Sequence, residues 1–345
     1  MDKKYPMAEL KEQDIRSLID NLSDGILLAD VETKKLLFGN RAILEMLGYT
    51  SEEIRGLSVR DIHPKESLPM VLGVFKRQVD KRERIIFDIP VKRKNNEIFY
   101  ADISSLPITL SGKEYLAGVF RDISRRKKLE IELLQRLKQQ DAVVKLGQAV
   151  LSGIALDLFM NEAVRVLASV LGVEYTKILE LSPEGDYLLL RAGVGWKEGL
   201  VGVVQLKAGR DSQAGYTLMT KEPVIVEDLR TEKRFSMPSL LVEHNVISGL
   251  SVIIGEIKKP FGVLGAHTGY KRIFTRDDVN FVQAIANLLA IVIERVKIDK
   301  ETQLRYEQIE KFNRVMLGRE EKLIELKEEV NTLLKFNGKP EKYKV

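Results

Sequence analysis

The sequence contains no cysteine, three histidines and a single tryptophan among its 345 residues. The absence of cysteine excludes disulfide bonds, thiolate nucleophiles, zinc–thiolate sites and chromophores attached through a thioether bond. The histidines, His63, His244 and His267, are too far apart for any two of them to form a local metal-ligand motif. Cysteine chemistry is therefore excluded, and a nucleophilic or metal site that uses histidine would take a single, isolated histidine from any one segment.

Long apolar runs and charge of one sign are also lacking. No uninterrupted apolar run approaches the roughly 18 residues that a membrane-spanning helix needs, and residues 1–6 lack the apolar core of a secretion signal. The 55 basic and 50 acidic side chains nearly balance, so net charge alone does not indicate a nucleic-acid-binding protein. We expect a soluble cytoplasmic protein without a membrane span.

The length and the 44% of hydrophobic residues predict two folded domains joined by helices. Patterning divides the chain into a lead-in at 1–12, a first domain at 13–124, a helical connector at 125–150, a second domain at 151–297, a coiled-coil-like helix at 298–337 and a basic tail at 338–345.

The first domain has the pattern of an α+β fold with an antiparallel sheet. Apolar runs at 26–29 and 35–38 predict a hairpin. Thr50 and Glu53 have the spacing of a capping box that opens a helix. Ile85, Phe87, Ile89 and Val91 alternate with other residues, which predicts a strand with one half-buried face, and residues 98–106 read as its return strand.

The motifs of this segment resemble a PAS sensor domain. They are Asp24-Gly25-Ile26, Phe38-Gly39-Asn40, Leu47-Gly48-Tyr49, Glu53, Gly56, Asp61-Ile62-His63-Pro64 and Arg121-Asp122-Ile123-Ser124. The resemblance implies a five-stranded sheet that cups a ligand pocket, to which we assign Asn40, Leu44, Ile54 and Met70. It also implies that Arg121, Asp122 and Ser124 relay movement of the sheet to the next helix. A carboxylate or hydroxyl of Asp122 or Ser124 can cap that helix.

The residue types limit the cofactors that such a domain could hold. The family's photoreactive flavin proteins need a cysteine, which this chain lacks. Haem is disfavoured because the helix expected around residues 65–79 contains no histidine, and His63 precedes it in a turn. A non-covalent flavin or a small metabolite remains open.

The second domain also reads as α+β. An amphipathic helix is predicted at 156–171. Strands are predicted at 175–181, 187–192, 203–206, 224–226, 248–254 and 261–267. A last helix opens at Thr275 and Asp278 and keeps helical apolar spacing from Val279 to Val292.

This segment resembles a GAF domain, through Ala214-Gly215-Tyr216-Thr217-Leu218, Glu222–Leu229, Arg234-Phe235, Gly249–Ile254, Gly262-Val263-Leu264-Gly265 and Phe274-Thr275-Arg276-Asp277-Asp278. The resemblance implies a ligand cup, to which we assign Phe235. Tyr270-Lys271 stands where the cyclic-nucleotide signature has Asn-Lys, and bilin attachment is excluded without cysteine. We interpret His267, at a strand end, as a hydrogen-bonded structural residue; the alternative is a haem ligand.

The two helical segments outside the domains leave alternatives open. The basic run Arg125–Lys128 starts a stiff connector and is either a solvated helix face or a contact for nucleic acid or lipid. The C-terminal helix has a heptad seam that predicts a partner helix, or else folds back on its own domain. The seam consists of Ile309, Phe312, Met316, Leu323, Leu326, Val330 and Leu333, with Arg319 as its polar member.

These patterns predict a signal-transduction sensor without catalytic activity and without its own output domain. It would form a homodimer and relay a small molecule, a redox state or a partner to a separate kinase or transcription regulator, as in a two-component system. One alternative is a dimeric scaffold that binds no ligand. The other is a nucleic-acid regulator that uses the basic run and residues 339–344, a reading disfavoured for the run Arg125–Lys128 because no aromatic residue interleaves it.

Overall fold

The computed structural model describes residues 11–80, 84–340 and 342–344. The chain divides into two compact units, Met1–Leu134 and Gln135–Val345. Each unit is built on one antiparallel sheet, so the predicted α+β class is confirmed.

The first unit has a five-stranded sheet in the order β2-β1-β5-β4-β3. Its strands are β1 (Gly25–Asp30), β2 (Leu36–Gly39), β3 (Ile85–Lys92), β4 (Ile98–Leu110) and β5 (Lys113–Asp122). Its helices are α1 (Glu12–Asp20), α2 (Arg41–Leu47), α3 (Ser51–Ile54) and α4 (Leu68–Val79), with a 3-10 turn at Lys65–Ser67. The predicted hairpin is confirmed as β1 paired with β2.

Local sequence explains where these elements begin and end. Thr50 and Glu53 form the predicted capping box, with the Thr50 hydroxyl accepting from the Glu53 N–H at 3.2 Å and the Glu53 carboxylate accepting from the Thr50 N–H at 3.1 Å. Gly48 ends α2 in the left-handed conformation, with φ of 74°, which glycine adopts without steric cost.

A β-bulge in β3 overturns part of the predicted alternation. The register shifts between Ile86 and Ile89, and Asp88 takes a φ of 60°. Because the extra residue reverses the faces, Ile89 and Val91 lie in the core while Ile85 and Phe87 are exposed. The prediction that all four share one half-buried face was therefore wrong for the first two.

The second unit has a six-stranded sheet in the order β8-β7-β6-β11-β10-β9. Its strands are β6 (Tyr175–Leu181), β7 (Tyr187–Val194), β8 (Gln205–Lys207), β9 (Val224–Val226), β10 (Ser248–Glu256) and β11 (Lys259–Thr268). Its helices are α6 (Leu156–Leu171), α7 (Gln213–Thr220), α8 (Ser239–Val242) and α9 (Arg276–Phe336). All six predicted strands are present, although their ends differ by up to two residues.

The two faces of this second sheet are covered differently. Ile178 and Leu264 pack with Leu167 of α6 and Leu289 of α9 in the larger core. Strand side chains alternate between faces, so neighbours such as Leu179 lie on the opposite side, in the cluster that includes residues of α7 and α8. The helix that links the two domains, α5 (Ser124–Leu151), buries Ala142, Leu146 and Val150 in the larger core.

The last helix, α9, is 61 residues long and continues well beyond the second core. It contains a window, with mean hydropathy 1.5 and 33% of its residues buried, that could cross a membrane by length and composition. The core helix of a globular protein meets the same criterion, and Val282, Ile285 and Leu289 of α9 are fully buried in the larger core. The window is therefore weak evidence for a membrane span.

Candidate functional site

A cavity of about 50 Å³ lies in the first unit between α4 and the sheet. Val71, Val74, Phe75 and Gln78 line it from α4, and the strands β1, β3, β4 and β5 contribute mostly apolar side chains. This volume holds a few water molecules or a ligand of few atoms. The polar side chains in the lining are His63, Gln78 and Ser105, which is the pattern of a small-ligand site.

His63 and Gln78 present polar atoms to an almost wholly apolar wall. The ring of His63 is buried, and its Nδ1 lies 2.7 Å from the Pro90 carbonyl oxygen, so that Nδ1–H donates and Nε2 is left as an acceptor. Gln78 is also buried, and its Nε2 finds no hydrogen-bond partner within the described residues. An unpaired buried donor costs about 1–3 kcal/mol. A ligand or ordered water that accepts from Gln78 removes that cost.

The stability of the first unit is expected to fall as the pH decreases below about 6.5, the ordinary pKa of histidine. Burial lowers the pKa of His63, and the hydrogen bond to Pro90 opposes this only in part. The unfolded chain therefore binds a proton at a pH where the folded chain does not, and the free energy of unfolding drops by up to about 1.36 kcal/mol per pH unit. Urea denaturation between pH 7 and 5, monitored through the amide hydrogen exchange of β1 and β5, measures this decrease in stability.

The control for this pH dependence is His63→Gln, which keeps a donor for the Pro90 carbonyl but does not titrate. We expect this variant to lose much of the decrease in the stability of the first unit between pH 7 and 5. An unchanged decrease would show that other groups cause it.

The structure places the predicted pocket residue Asn40 outside the cavity wall. Its side chain is fully buried and accepts from the N–H groups of Ile26 at 2.8 Å and Ile43 at 3.1 Å. It donates to the carbonyl oxygens of Ile19 at 2.9 Å and Asp24 at 3.1 Å. All the bonds that hold this amide in place are therefore to the protein backbone.

The other three residues assigned to the pocket of the first domain also lie outside the cavity lining. Leu44 and Ile54 pack in the core of the first unit, and Met70 is 46% exposed on α4. Phe235, in the second unit, packs against the ring of Tyr216 with centroids 5.5 Å apart. A pattern that could have identified the cavity was present: Val71, Val74, Phe75 and Gln78 are spaced along one helical face, and a glutamine in that apolar face needs a partner.

The predicted relay residues lie at the end of β5, where α5 begins. Arg121 pairs with Asp24 through Nε at 3.2 Å and Nη2 at 2.8 Å. The Asp122 carboxylate accepts from the Ser124 N–H at 2.8 Å and pairs with Arg93 at 3.2 Å. Asp122 thus satisfies the first free N–H of α5, while the buried Ser124 hydroxyl has no partner in the described part of the chain.

The basic run at the start of α5 contacts acidic residues of the first sheet. Arg126 pairs with Asp102 at 3.2 Å and with Asp88 at 3.5 Å, and Lys127 pairs with Asp88 at 2.9 Å. Asp88 is the residue at the β-bulge in β3. These pairs tie the first turn of α5 to strands β3 and β4, and they occupy two of the four basic side chains that a nucleic acid would have to use.

In the second unit, His267 differs from its sequence interpretation. It is fully buried on β11, but neither ring nitrogen has a hydrogen-bond partner among the residues described, so the prediction of a hydrogen-bonded structural histidine was wrong. His244 does have a structural role: its Nδ1 lies 2.7 Å from the Leu240 carbonyl and its Nε2 accepts from the Lys197 N–H at 3.0 Å. No group of three or more potential metal ligands occurs among residues 11–80, 84–340 and 342–344.

The predicted seam on α9 is largely uncovered. Its members are between 37% and 64% exposed, from Val330 to Phe312. Asn331, off the seam, is 9% exposed and bonds through its amide to the backbone of Lys342 and Tyr343. The tail thus contacts the end of α9 while the apolar seam stays open.

Comparison with known proteins identifies the two domains. Residues 23–125 match the family model of the PAS domain and residues 155–293 match that of the GAF domain. The chain therefore carries a PAS domain followed by a GAF domain, and the resemblances noted in the sequence are confirmed.

One curated relative is the methyl sulfide methyltransferase-associated sensor of Methanosarcina acetivorans. It is 29% identical over 169 residues, which are 47% of this chain and 17% of the relative. The chain thus matches only about a sixth of that protein's length. The two domain types and this relative together support a signal-transduction sensor.

Solved structures of single GAF and PAS domains are similar to parts of this chain. The GAF domain of a Coxiella burnetii phosphoenolpyruvate-protein phosphotransferase is 19% identical, with TM-score 0.45, and covers 48% of this chain and 98% of that one. The corresponding Acinetobacter domain is 21% identical, with TM-score 0.41, and covers 47% and 97%. A PAS domain from Desulfitobacterium hafniense is 18% identical, with TM-score 0.29, and covers 31% and 98%.

Proposed function

We propose that this chain is a cytoplasmic signal-transduction sensor that binds a small metabolite in the cavity of its PAS domain. Its output would be a change in α5 and in a dimer formed along α9, read by a separate kinase or transcription regulator. A small metabolite is favoured over flavin because about 50 Å³ is far below the roughly 300–1,000 Å³ of sites for larger ligands. We propose no catalytic role.

The single observation that carries this proposal is the position of β5. Leu116, Gly118 and Phe120 of β5 line the cavity. Two residues further on, the same strand reaches Asp122, whose carboxylate caps the first turn of α5. A ligand that shifts β5 acts directly on a cap, and a cap is worth about 1 kcal/mol. That is enough to change the ratio of two nearly equal conformers about fivefold.

Ligand content is tested first on the full chain. Mass spectrometry of the protein purified from its native cells, under native conditions and after extraction, is expected to find a small bound molecule. Gln78→Leu removes the unpaired donor from the cavity and is expected to lose this molecule, yet to raise the free energy of unfolding of the empty protein by about 1–3 kcal/mol. Thermal melts with and without extraction measure the second effect.

The relay is tested by releasing the start of α5. Replacing Asp88 and Asp102 with asparagine together removes the ion pairs of Arg126 and Lys127, and we expect faster amide exchange in the first two turns of α5. The loss of global stability should stay at about 1 kcal/mol or less, because these pairs are partly exposed. Hydrogen exchange with mass spectrometry measures both the exchange rates at the start of α5 and the global stability.

Glu130→Gln is the matched control for that experiment. Glu130 pairs with the same Arg126 at 3.7 Å, but from within the helix. If this variant accelerates exchange as much as the double variant does, the pairs to the sheet do not hold the helix.

A scaffold without a ligand is the second candidate, and the small size of the cavity favours it. It predicts that no molecule is extracted and that Gln78→Leu stabilises the protein under all conditions. A nucleic-acid regulator is less favoured, because Arg126 and Lys127 are engaged by Asp88 and Asp102. Salt-dependent retardation of a DNA duplex would be needed to support it.

A further inference from the structure

A group of buried polar side chains lies in the GAF domain, on the sheet face opposite the larger core. Lys177 of β6, His267 of β11 and Gln213 of α7 are 2%, 0% and 1% exposed, respectively. Leu179 and Val263, which follow the same alternation along β6 and β11, pack on this face with residues of α7 and α8. The three polar residues therefore lie beneath the elements that cover it.

Gly249 and Gly265, on neighbouring strands, leave room for these side chains, and Gly193 leaves room for Trp196. Lys177 stands opposite Gly193 on β7 and Gly265 on β11, and His267 stands opposite Gly249 on β10. A Cβ on Gly249 would lie 2.8 Å from Gln213 Oε1 and 3.1 Å from His267 Nε2, so both polar atoms border the space above Gly249. A Cβ on Gly265 would lie 2.8 Å from His267 Cε1 and 3.3 Å from Lys177 Cε. The three side chains converge.

The polar atoms of this group lack partners. Within the described residues, His267 Nδ1 and Nε2 and Gln213 Oε1 have no hydrogen bond, whereas Gln213 Nε2 donates to the Val224 carbonyl at 3.1 Å. Lys177 forms no ion pair with any described residue, and its ammonium lies 5.5 Å from the centre of the Trp196 ring. A buried charge without a counter-ion and unpaired buried polar atoms are each unfavourable, so the site is chemically incomplete.

The protonation states of Lys177 and His267 define which kind of ligand would complete the site. Burial lowers the pKa of Lys177 to about 7. Burial, together with the nearby Lys177, holds the pKa of His267 well below its usual range, so its ring is neutral and offers one N–H donor. The site therefore presents an ammonium and an imidazole N–H to an anion, and the Gln213 carbonyl oxygen to a donor.

We propose that Lys177, His267 and Gln213 bind a small 2-hydroxycarboxylate. Its carboxylate oxygens accept from the Lys177 ammonium and the His267 N–H, and its hydroxyl donates to Gln213 Oε1. A ligand amine in place of the hydroxyl would put a second cation beside Lys177, which is unfavourable at short range in a buried site. This inference concerns a site in the GAF domain and does not depend on the PAS cavity.

The test is isothermal titration of the full chain with glycolate, acetate and the neutral glycolamide. Glycolate is expected to bind more tightly than acetate, because acetate leaves Gln213 unpaired, and glycolamide is expected not to bind. Glycolate affinity should fall about tenfold per pH unit above about 7, as free Lys177 loses the proton that the anion requires. The titratable groups that face Lys177 are His267 and, across the ring of Trp196, His244 and Tyr175.

Two variants assign the effect to these residues. Lys177→Met is expected to weaken glycolate binding about 100-fold and to leave the protein folded, since it removes an unpaired buried charge. Gln213→Met is expected to abolish the preference for glycolate over acetate. Lys207→Met, at an exposed position of the same sheet, is the control and should bind as the parent does.

Three outcomes overturn the proposal. They are no heat with glycolate at pH 6.5, equal affinities of the parent and of folded Lys177→Met, or binding of glycolamide as strong as that of glycolate. Thermal melts followed by the fluorescence of Trp196, the single tryptophan of the chain, show whether the GAF domain of each variant is folded.

Discussion

Leu323→Glu is expected to convert a dimer of this chain into monomers, whereas Ile324→Glu should leave the dimer intact. The two residues are neighbours on α9 and are 49% and 47% exposed, so a single chain gives no reason for different behaviour. They differ in the heptad: Leu323 lies on the seam and Ile324 lies beside it. Only a partner helix along the seam would make glutamate more disruptive at Leu323 than at Ile324.

The expected size follows from burial in a two-fold pair. Covering one leucine side chain contributes about 1.5–3 kcal/mol, and a symmetric dimer contains two copies of Leu323, each covered by the partner helix. Their loss weakens association by about 3 kcal/mol or more, which corresponds to over about 100-fold in the dissociation constant. Burying the charge of each glutamate weakens association further in either orientation of the two helices. Sedimentation velocity over a range of micromolar concentrations measures the change.

The comparison also separates pairing from its alternative. A helix that folds back on its own chain gives a monomer for the parent and for both variants. If Ile324→Glu dissociates the dimer as strongly as Leu323→Glu does, the seam has been assigned to the wrong face of α9.

Asn40→Ala is expected to lower the free energy of unfolding of the PAS domain by about 3–5 kcal/mol, a large fraction of the stability of a single domain. The amide of Asn40 makes four hydrogen bonds with backbone groups from α1 to the start of α2, at 2.8 to 3.1 Å. An alanine leaves those groups without a partner, and each buried one costs about 1–3 kcal/mol.

The chain provides its own controls for this measurement. Asn95→Ala removes an exposed turn asparagine whose side chain accepts from the Glu97 N–H at 3.0 Å, and it should cost about 1 kcal/mol or less. Trp196 lies in the second unit, so its fluorescence transition in urea should not move in either variant, while the far-UV circular dichroism signal of Asn40→Ala gains an early transition. A loss of about 1 kcal/mol or less for Asn40→Ala would contradict the structural role.

Much of the fold was predictable because its determinants are local. Strands β6 and β9 have the predicted bounds, and the capping box at Thr50 forms as its spacing indicates. The bulge at Asp88 was not predictable, because an alternating sequence cannot show where a strand gains an unpaired residue. The extent of α9 was also missed: the predicted last helix and coiled-coil helix are one continuous element, since no glycine or proline interrupts them before Gly318.

The candidate sites were predicted less well than the fold. Asp122 was identified as a helix cap and has that contact. Asn40 was predicted to line the ligand pocket but bonds to backbone groups and does not line the cavity. His63, Gln78 and Ser105 come together in the cavity from a loop, a helix and a strand. Their sequence separation carries no information about this proximity.

By itself, the sequence determined the two α+β domains, their families and the apolar seam, because periodicity, helix caps and motifs depend on residues that are close together in the sequence. It also excluded every chemistry that needs a thiol. Only the tertiary structure decided which polar groups are buried and incompletely paired: Gln78 in the first domain, His267 and Gln213 in the second, and beside them Lys177, buried without a counter-ion. Burial and hydrogen bonding depend on what the sheet brings together from distant strands, and that is where the proposed ligands of this protein would bind.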